Sequence, residues 1–388
     1  MPATVLSILA ALLACSGLTL GKPSSTAGTD ALAAKAVQNL AAYTRSLKPN
    51  TTCTPENASK RREWSLLRPP ERRAYIAAVL CFMSRPSLNN NTEVPGARSR
   101  YDDLVAVHMN QTLAIHGTAN FLSWHRYFTW VYEQALRDEC GYRGYQPYWN
   151  WGKWAHDPLS SPVFDGSETS MSGNGAFEEH NCTDALPTGL NCIPPGSGGG
   201  CVDSGPFRNM TVNLGPVAPT LAEPEVVPSE SLYAYNSRCL KRDISSWVSR
   251  QWTTDQNSTD LIQDNNDIGS FQDTMQGDFP NGVFGVHTGG HFTIGGDPGG
   301  DLFTSPGDPA FFLHHAQIDR TWWIWQNQAP EQRTSAIAGT ITLNNSPPSR
   351  DGTLEDPIDL GVNAAVVSIS SVMSTTGLTG GPLCYVYV

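Results

Sequence analysis

The stretch that decides the fold is Gly285–Trp325, which begins GVHTGGHFTI (285–294) and continues as DPAFFLHHAQIDRTWWIWQ from 308 to 326. His287 and His291 are four residues apart, the spacing of one helix face. Asp308 is a good N-cap and Pro309 suits the first helical position, so a helix is predicted to begin there. His315 and Asp319 form an i,i+4 pair, and the carboxylate is expected to orient the imidazole.

His314 and His315, taken alone, are equally consistent with two hydrogen-bonded core histidines. The nearby pair His287 and His291 favours a metal site, because four imidazoles in one segment are more than core packing requires.

A second histidine group lies upstream, at His108, His116 and His125. A continuous helix would separate His108 and His116 by about 12 Å along its axis, too far to share one ion. The three converge only if the helix breaks near 117–120, where Gly117 lies. Without convergence they are unrelated histidines of the core or surface.

The remaining sequence predicts a mainly α chain with long loops and a β-rich end. Helices are expected at about 29–47, 70–83, 120–138 and 229–250. Residues 158–228 are rich in Gly, Pro and Ser and predict a disulfide-stapled loop in which His180 is exposed. His156, in the aromatic turn before this loop, is assigned to the wall or scaffold of the site. After Gln328, the runs AIAGTITLNN, AAVVSISSV and CYVYV predict short strands.

Composition excludes some classes of function. The formal charge is −11 with no long basic run, so nucleic acid is not an expected partner. Residues 1–20 resemble a secretory signal peptide; a bacterial lipoprotein signal ending at Cys15 is the alternative. No later segment is apolar enough to span a bilayer, so no membrane partner is expected.

Eight cysteines follow the predicted leader and allow up to four disulfides, with pairing left open. Together with sequons for N-linked glycans, they predict a secreted, extracellular glycoprotein. The sequons are Asn50, Asn57, Asn90, Asn110, Asn181, Asn209, Asn257 and Asn344.

Two groups of three histidines suit a pair of copper ions, because imidazole-only donor sets without carboxylate favour copper over iron; zinc is less favoured. With these motifs the chain resembles the tyrosinase, catechol oxidase and haemocyanin family of type-3 dicopper proteins, and in particular short secreted fungal polyphenol oxidases. The resemblance rests on HGTANFLSWHRYF, PYWNW, GVHTGGH and DPAFFLHHAQIDRTWWIWQ, within residues 64–328.

The resemblance implies an antiparallel four-helix bundle and two copper ions. Copper A would be held by His108, His116 and His125, and copper B by His287, His291 and His315, with His314 a neighbour. After the predicted signal peptide at 1–20, we expect a helical extension at 21–63, a dicopper core at 64–328 and a tail at 329–388 that packs on the core. No separate lid domain is expected.

Four further residues are assigned to the site by the same resemblance: Leu302 as the gate over copper B, Thr288, Phe292 and Asp278. Relatives that hydroxylate monophenols often carry Asn at the position of Thr288, with an upstream Glu where this chain has Asp278 or Gln276. Phe292 narrows the pocket or merely packs. No Cys lies between His108 and His125, which excludes the thioether of many relatives.

The predicted function is therefore oxidation of o-diphenols to o-quinones, with O2 reduced to water. Monophenol hydroxylation and oxidation of o-aminophenols are the alternatives, and a haemocyanin-like O2 carrier is a remote one. The expected partners are small phenolic substrates and O2.

Overall fold

The computed structural model describes residues 22–47, 53–184, 192–219 and 231–388. The predicted signal peptide lies outside the described residues. Most of the regular structure is helical, which confirms the mainly α prediction. The helices are α1 (Ala27–Leu47), α2 (Pro69–Ser84), α3 (Arg100–Ile115), α4 (Phe121–Cys140), α5 (Ser246–Trp252), α6 (Asp255–Asp264), α7 (Ile268–Gln276), α8 (Gly285–Ile294), α9 (Ala310–Gln326), α10 (Pro330–Arg333) and α11 (Ile369–Val372).

Four helices, α3, α4, α8 and α9, form a bundle around the histidines. Helix α4 packs against α9 and α2, while α8 packs against α9, α7 and α5. All of α9 is buried, as its apolar and aromatic sequence predicts. The core around the bundle is dense in aromatic side chains, among them Trp64, Trp124, Trp149 and Trp323.

The ends of these helices are set by local chemistry. Ser99 and Asp102 form a capping box that begins α3. The Asp308 carboxylate accepts a hydrogen bond from the Ala310 N–H and so caps α9, as predicted. Arg242 also binds Asp308 through two nitrogens, each at 2.7 Å, and this pair is fully buried. The start of the histidine-bearing helix α9 is thereby fixed to a distant loop.

The strands are short and each belongs to a two-stranded sheet. The pairs are β1 (Ser59–Arg61) with β10 (Tyr385–Tyr387), β2 (Gly175–Phe177) with β5 (Gly199–Val202), β3 (Thr183–Asp184) with β4 (Cys192–Ile193), β6 (Thr211–Val212) with β7 (Arg238–Cys239), and β8 (Pro357–Ile358) with β9 (Val367–Ser368). Among these pairs, β1–β10 is parallel and the others are antiparallel. Sequence alternation located these strands poorly because each is too short for its period to stand out.

The predicted β-rich tail is present in part. CYVYV contains β10. In contrast, AIAGTITLNN forms one isolated bridge and a 3-10 helix (Leu343–Asn345), and AAVVSISSV gives a two-residue strand followed by α11. β10 pairs with β1, more than three hundred residues earlier in the chain, so the tail pairs with a strand of the predicted N-terminal extension. The boundaries at 64 and 328 remain predictions.

The helix predicted over 229–250 is wrong in the part that is described. A helix occupies only Ser246–Trp252, and the preceding residues form β7 and an extended segment. That segment is extended because its side chains and backbone bind other parts of the chain. The Arg242 guanidinium binds the Asp308 carboxylate, and the Arg242 carbonyl accepts hydrogen bonds from the N–H groups of Gly175 and Gly199. Tertiary pairing overrides local helical periodicity here.

Four disulfides connect the chain, as many as the eight cysteines allow: Cys53–Cys384, Cys81–Cys140, Cys182–Cys192 and Cys201–Cys239. Cys182–Cys192 closes within the long loop region, and Cys201–Cys239 connects that region to β7, which confirms that the region is stapled. Among the described residues, no helix is both long and apolar enough to cross a bilayer.

Candidate metal centre

Group A consists of His108, His116 and His125, and one ring nitrogen from each lies within 4.8 Å of the others. His108 lies on α3, His125 lies on α4, and His116 is the C-cap residue between them. The chain reverses there through Gly117, at φ 57°. The break predicted near 117–120 is therefore what allows the three rings to converge.

Each group A ring is oriented by a backbone carbonyl. The Nδ1–H groups of His108, His116 and His125 donate to the carbonyls of Phe303, Thr112 and Phe121 at 2.8, 2.9 and 2.7 Å. A carbonyl only accepts, so each Nδ1 carries the proton and each Nε2 presents a lone pair. The group A histidines are thus prepared as three Nε2 donors.

Group B consists of His287, His291, His314 and His315, with one nitrogen of each again within 4.8 Å of the rest. The first two lie on α8 and the last two on α9. The Nε2 atoms of His291 and His315 are 3.1 Å apart. Two such nitrogens at this distance suit a shared cation or a single shared proton.

Packing, more than hydrogen bonding, sets the group B rings. The Phe311 ring stacks on His315 with centroids 4.0 Å apart. Gly290 leaves the room that His314 occupies, since a Cβ there would lie 2.1 Å from its Cε1. Neither ring nitrogen of His314 has a hydrogen-bond partner among the described residues, and its ring packs against Trp151 and His291.

The rings of the two groups contact each other. His125 of group A stacks on His315 of group B at 4.6 Å between centroids, and the ring centroid of His116 lies 5.9 Å from that of His287. Phe121 packs between the groups against His287. The structure thus brings two histidine groups from distant segments into direct contact.

Burial keeps these imidazoles neutral. Removal from water is the largest cause in every case, and it lowers the pKa of His108 to about 3 and that of His116 to about 4. It also holds the pKa values of His125, His287, His291 and His315 well below 6.5. Neutral imidazole is the form that binds a transition metal.

The residues present fit a pair of copper ions. The Nε2 atoms of His108, His125 and His287 are buried and have no hydrogen-bond partner among the described residues. A buried nitrogen lone pair without a partner is costly unless a metal or a water satisfies it. The donors are all imidazoles, with no carboxylate or thiolate in either group, and this set suits copper.

The prediction that Asp319 orients His315 is wrong. Its carboxylate binds Arg126 and Arg61 and accepts from the hydroxyls of Tyr385 and Tyr387 at 2.6 Å each. Burial alone would raise the pKa of Asp319, but the two guanidinium groups outweigh it and lower that pKa. Asp319 thus joins α9 to α4 and to the tail, and supports the histidine-bearing helices indirectly.

The other predicted site residues lie at different depths. Leu302 is 43% exposed and precedes Phe303, whose carbonyl holds His108. The Thr288 hydroxyl donates to the Gln276 carbonyl at 2.8 Å. Phe292 packs against Phe284 in a small apolar cluster, which favours a packing role over narrowing of the pocket. Asp278 is exposed, and its carboxylate accepts from Asn281.

The two histidines outside the groups differ from each other. His156 is exposed. The expectation that His180 is exposed is wrong, because its side chain is 2% accessible and its Nε2 lies 3.0 Å from an Asp243 carboxylate oxygen. The sequence carried no signal for this pair, since the two residues are far apart along a loop-rich stretch.

The chain matches the common central domain of tyrosinase over residues 98–328. It is 41% identical over 336 residues to Tyrosinase P of Aspergillus terreus, covering 84% of this chain and 91% of that protein. It is 38% identical over 350 residues to the N-acetyl-6-hydroxytryptophan oxidase of Emericella nidulans, covering 86% and 93%.

The fold is also similar to a solved structure, that of a mutant form of the polyphenol oxidase of Thermothelomyces thermophila. The TM-score is 0.87 at 42% identity, and the match covers 96% of this chain and all of that one. The family match, the overall fold and the two histidine groups therefore agree, and the chain belongs to the tyrosinase family of copper oxidoreductases.

Proposed function

We propose that this protein is a polyphenol oxidase of the catechol oxidase type, which holds copper A on His108, His116 and His125 and copper B on His287, His291 and His315. The observation that carries the proposal is the contact between two buried groups of neutral imidazoles. In the overall reaction, two o-diphenols lose four electrons and four protons to one O2, which gives two o-quinones and two waters. Bound copper would supply the electron transfer between phenol and O2.

The protein's own part in this reaction is to position the copper ligands and to exclude water from them. The carbonyl-bound Nδ1–H groups orient the group A rings, and the aromatic wall of Phe121, Phe128 and Phe311 keeps water from the ligand nitrogens. Leu302 is assigned as the gate over copper B, and its exposure of 43% leaves the side chain accessible from solvent.

The surroundings of Thr288 support diphenols over monophenols as substrates. A monophenol must be deprotonated before it binds copper, and the chain needs a basic group or an ordered water for that step. Here the Thr288 hydroxyl is used by the Gln276 carbonyl, and Asp278 is exposed and bound to Asn281. Both groups are engaged in hydrogen bonds within the protein, which supports the expectation that monophenols are poorer substrates than diphenols.

Monophenol hydroxylation is the second candidate, because a relative at 41% identity is named a tyrosinase. Another relative is named for a hydroxytryptophan, so fused-ring phenols also belong in the tests, as do o-aminophenols. We further propose that the protein is secreted, which four disulfides and the predicted leader support.

The test is a metal count followed by a substrate panel. Purified protein should bind two coppers per chain and take up O2 with catechol at once. With tyramine and no diphenol primer, uptake should be slower by at least about tenfold or show a long lag. Equal initial rates on both substrates would replace this proposal with a true tyrosinase. Protein that binds two coppers and O2 but produces no quinone would be an O2 carrier.

A further inference from the structure

We propose that Gln276 is a positioning residue that sets the distance between the two copper sites by connecting the turn after His116 to the helix of His287. The inference rests on the proposed dicopper function and adds a residue that is not itself a proposed copper ligand.

Gln276 forms hydrogen bonds both to the turn after His116 and to the helix of His287. Its side-chain Oε1 accepts a hydrogen bond from the Gly117 N–H at 2.7 Å, directly after His116. Its backbone carbonyl accepts from the Thr288 hydroxyl at 2.8 Å, directly after His287. Its Nε2 donates to the Gln272 carbonyl within the same helix. Each polar atom of the side chain therefore has a protein partner.

Gln276 is firmly attached to the group B side. It ends α7, and the next residue, Gly277, has φ 114° and lies so close to α8 that a Cβ would be 2.4 Å from the Phe284 carbonyl oxygen. Gly285, at the start of α8, lies equally close to the Thr274 carbonyl. Two glycines thus allow α7 and α8 to touch through their backbones, and the Gln276 side chain extends from this junction toward group A.

His116 is the group A residue that most needs such support. His108 and His125 lie inside helices, whereas His116 follows the last residue of α3 with extended φ and ψ of −126° and 141°. The tail holds the outer side of the same turn, where Asn344 donates to the Gly117 carbonyl and Ala119 donates to that of Thr340. The remaining Gly117 N–H is bound by Gln276. Loss of this bond frees the residue next to a proposed ligand, and small displacements at a metal site are expensive.

The experiment compares three variants with the wild-type protein. Gln276→Met keeps length and volume but removes the acceptor oxygen. Gln276→Glu keeps an oxygen for the Gly117 N–H. Gln272→Met is the matched control, since it is the same change one turn earlier on α7, at a side chain that is 3% exposed and donates to the Ala338 carbonyl instead.

The readouts are copper affinity against a competing chelator, the electron paramagnetic resonance of partly loaded protein, and kcat and KM for catechol. In Q276M the first copper should bind as in wild type and the second about 10- to 100-fold more weakly, the usual cost of losing a supporting contact at a metal site. Isolated Cu(II) should then give a signal that the coupled pair lacks. The kcat should fall more than KM rises, because fewer complete pairs form.

Q276E should retain both coppers, and Q272M should bind both as wild type does even if it melts at a lower temperature. Wild-type affinity for the second copper in Q276M, or an equal loss in Q272M, would overturn the proposal. If Q276M does not fold, Q276E still decides, because loss of its second copper would show that the Gly117 contact is not what matters. A wild-type protein that binds no copper would refute the proposed function itself, a distinct result.

Discussion

Groups A and B hold imidazoles by different means, although their rings are in direct contact. Group A lies on a helix, a turn and a second helix, and each ring is tied by Nδ1 to a backbone carbonyl. Group B lies on two helices that pack together, and its rings are held by Phe311, by His125 and by the space at Gly290. A hydrogen bond fixes both tautomer and direction, while packing fixes direction alone. Group B therefore depends more on the exact volume of its neighbours.

Both groups are carried by the same set of packed helices. Asp319→Asn should destabilise this packing and should cause the largest loss of folding stability among the variants considered. Asp319 on α9 binds Arg126 on α4 with both side chains buried, beside Arg61 and two tyrosine hydroxyls. Removing its charge leaves buried guanidinium groups without full compensation, which costs about 3–5 kcal/mol. The measurement is chemical denaturation of the copper-free protein.

Asp356→Asn is the matched control for D319N, because its partner Arg350 is on the surface with a side chain 56% exposed. Its melting temperature should stay close to that of wild type, since surface ion pairs contribute little. If D319N melts as D356N does, α4 and α9 are held together by packing without the help of the ion network.

A substitution with an expected effect of intermediate size tests whether group B depends on the volume of its neighbours. Gly290→Ala places a Cβ 2.1 Å from the His314 ring, so the ring or α8 must move. Overpacking of this kind costs about 1–3 kcal/mol and should weaken the binding of one copper, with the other unaffected. Calorimetry and the chelator titration measure the two effects.

Gly269→Ala is the control for G290A. It is also a helical glycine, but the nearest atom to its added Cβ is 3.2 Å away, at the end of the Asp267 side chain. The variant should be neutral or slightly more stable than wild type, as alanine favours helix. Unchanged copper binding in G290A would mean that group B tolerates volume changes as well as group A.

The smallest expected effect is the loss of stability at low pH that follows from the protonation of the buried histidines. Burial lowers the pKa of His116 to about 4 and that of His108 to about 3, and the carbonyl bond of each partly opposes the effect. The unfolded chain takes up protons below a pH of about 6.5, so these histidines contribute full stability above that pH and lose it as the pH falls toward the folded values. In the copper-free protein, His116 should titrate before His108.

Histidine-selective NMR of the copper-free protein follows these titrations directly, and denaturation at several pH values gives the matching loss of stability. A group B imidazole that titrates at its ordinary pKa would contradict this expectation, because burial holds the pKa values of His287, His291 and His315 well below 6.5.

Several parts of the molecule could be predicted from local sequence. The four-residue spacing of His287 and His291, the Asp308 cap and the required break after His116 each depend on neighbours within one or two helical turns. Local spacing also pointed to the family, since its motifs are contiguous. The predicted helices at His125 and at His315 agree with α4 and α9 because their periodicity and their buried faces coincide.

The tertiary structure decided the rest, because the partners lie far apart in the chain. Asp319 shares a helix turn with His315 yet pairs with Arg126, Arg61 and the C-terminal tyrosines, since buried guanidinium groups attract its charge more strongly than a neutral imidazole does. Contacts between residues far apart in the chain also determine three other features. These are the extended segment before α5, the buried His180–Asp243 pair and the bond from Gln276 to Gly117. Sequence spacing determined which residues face the same side of one helix, whereas only packing among helices determined which side chains complete each other's hydrogen bonds and charges.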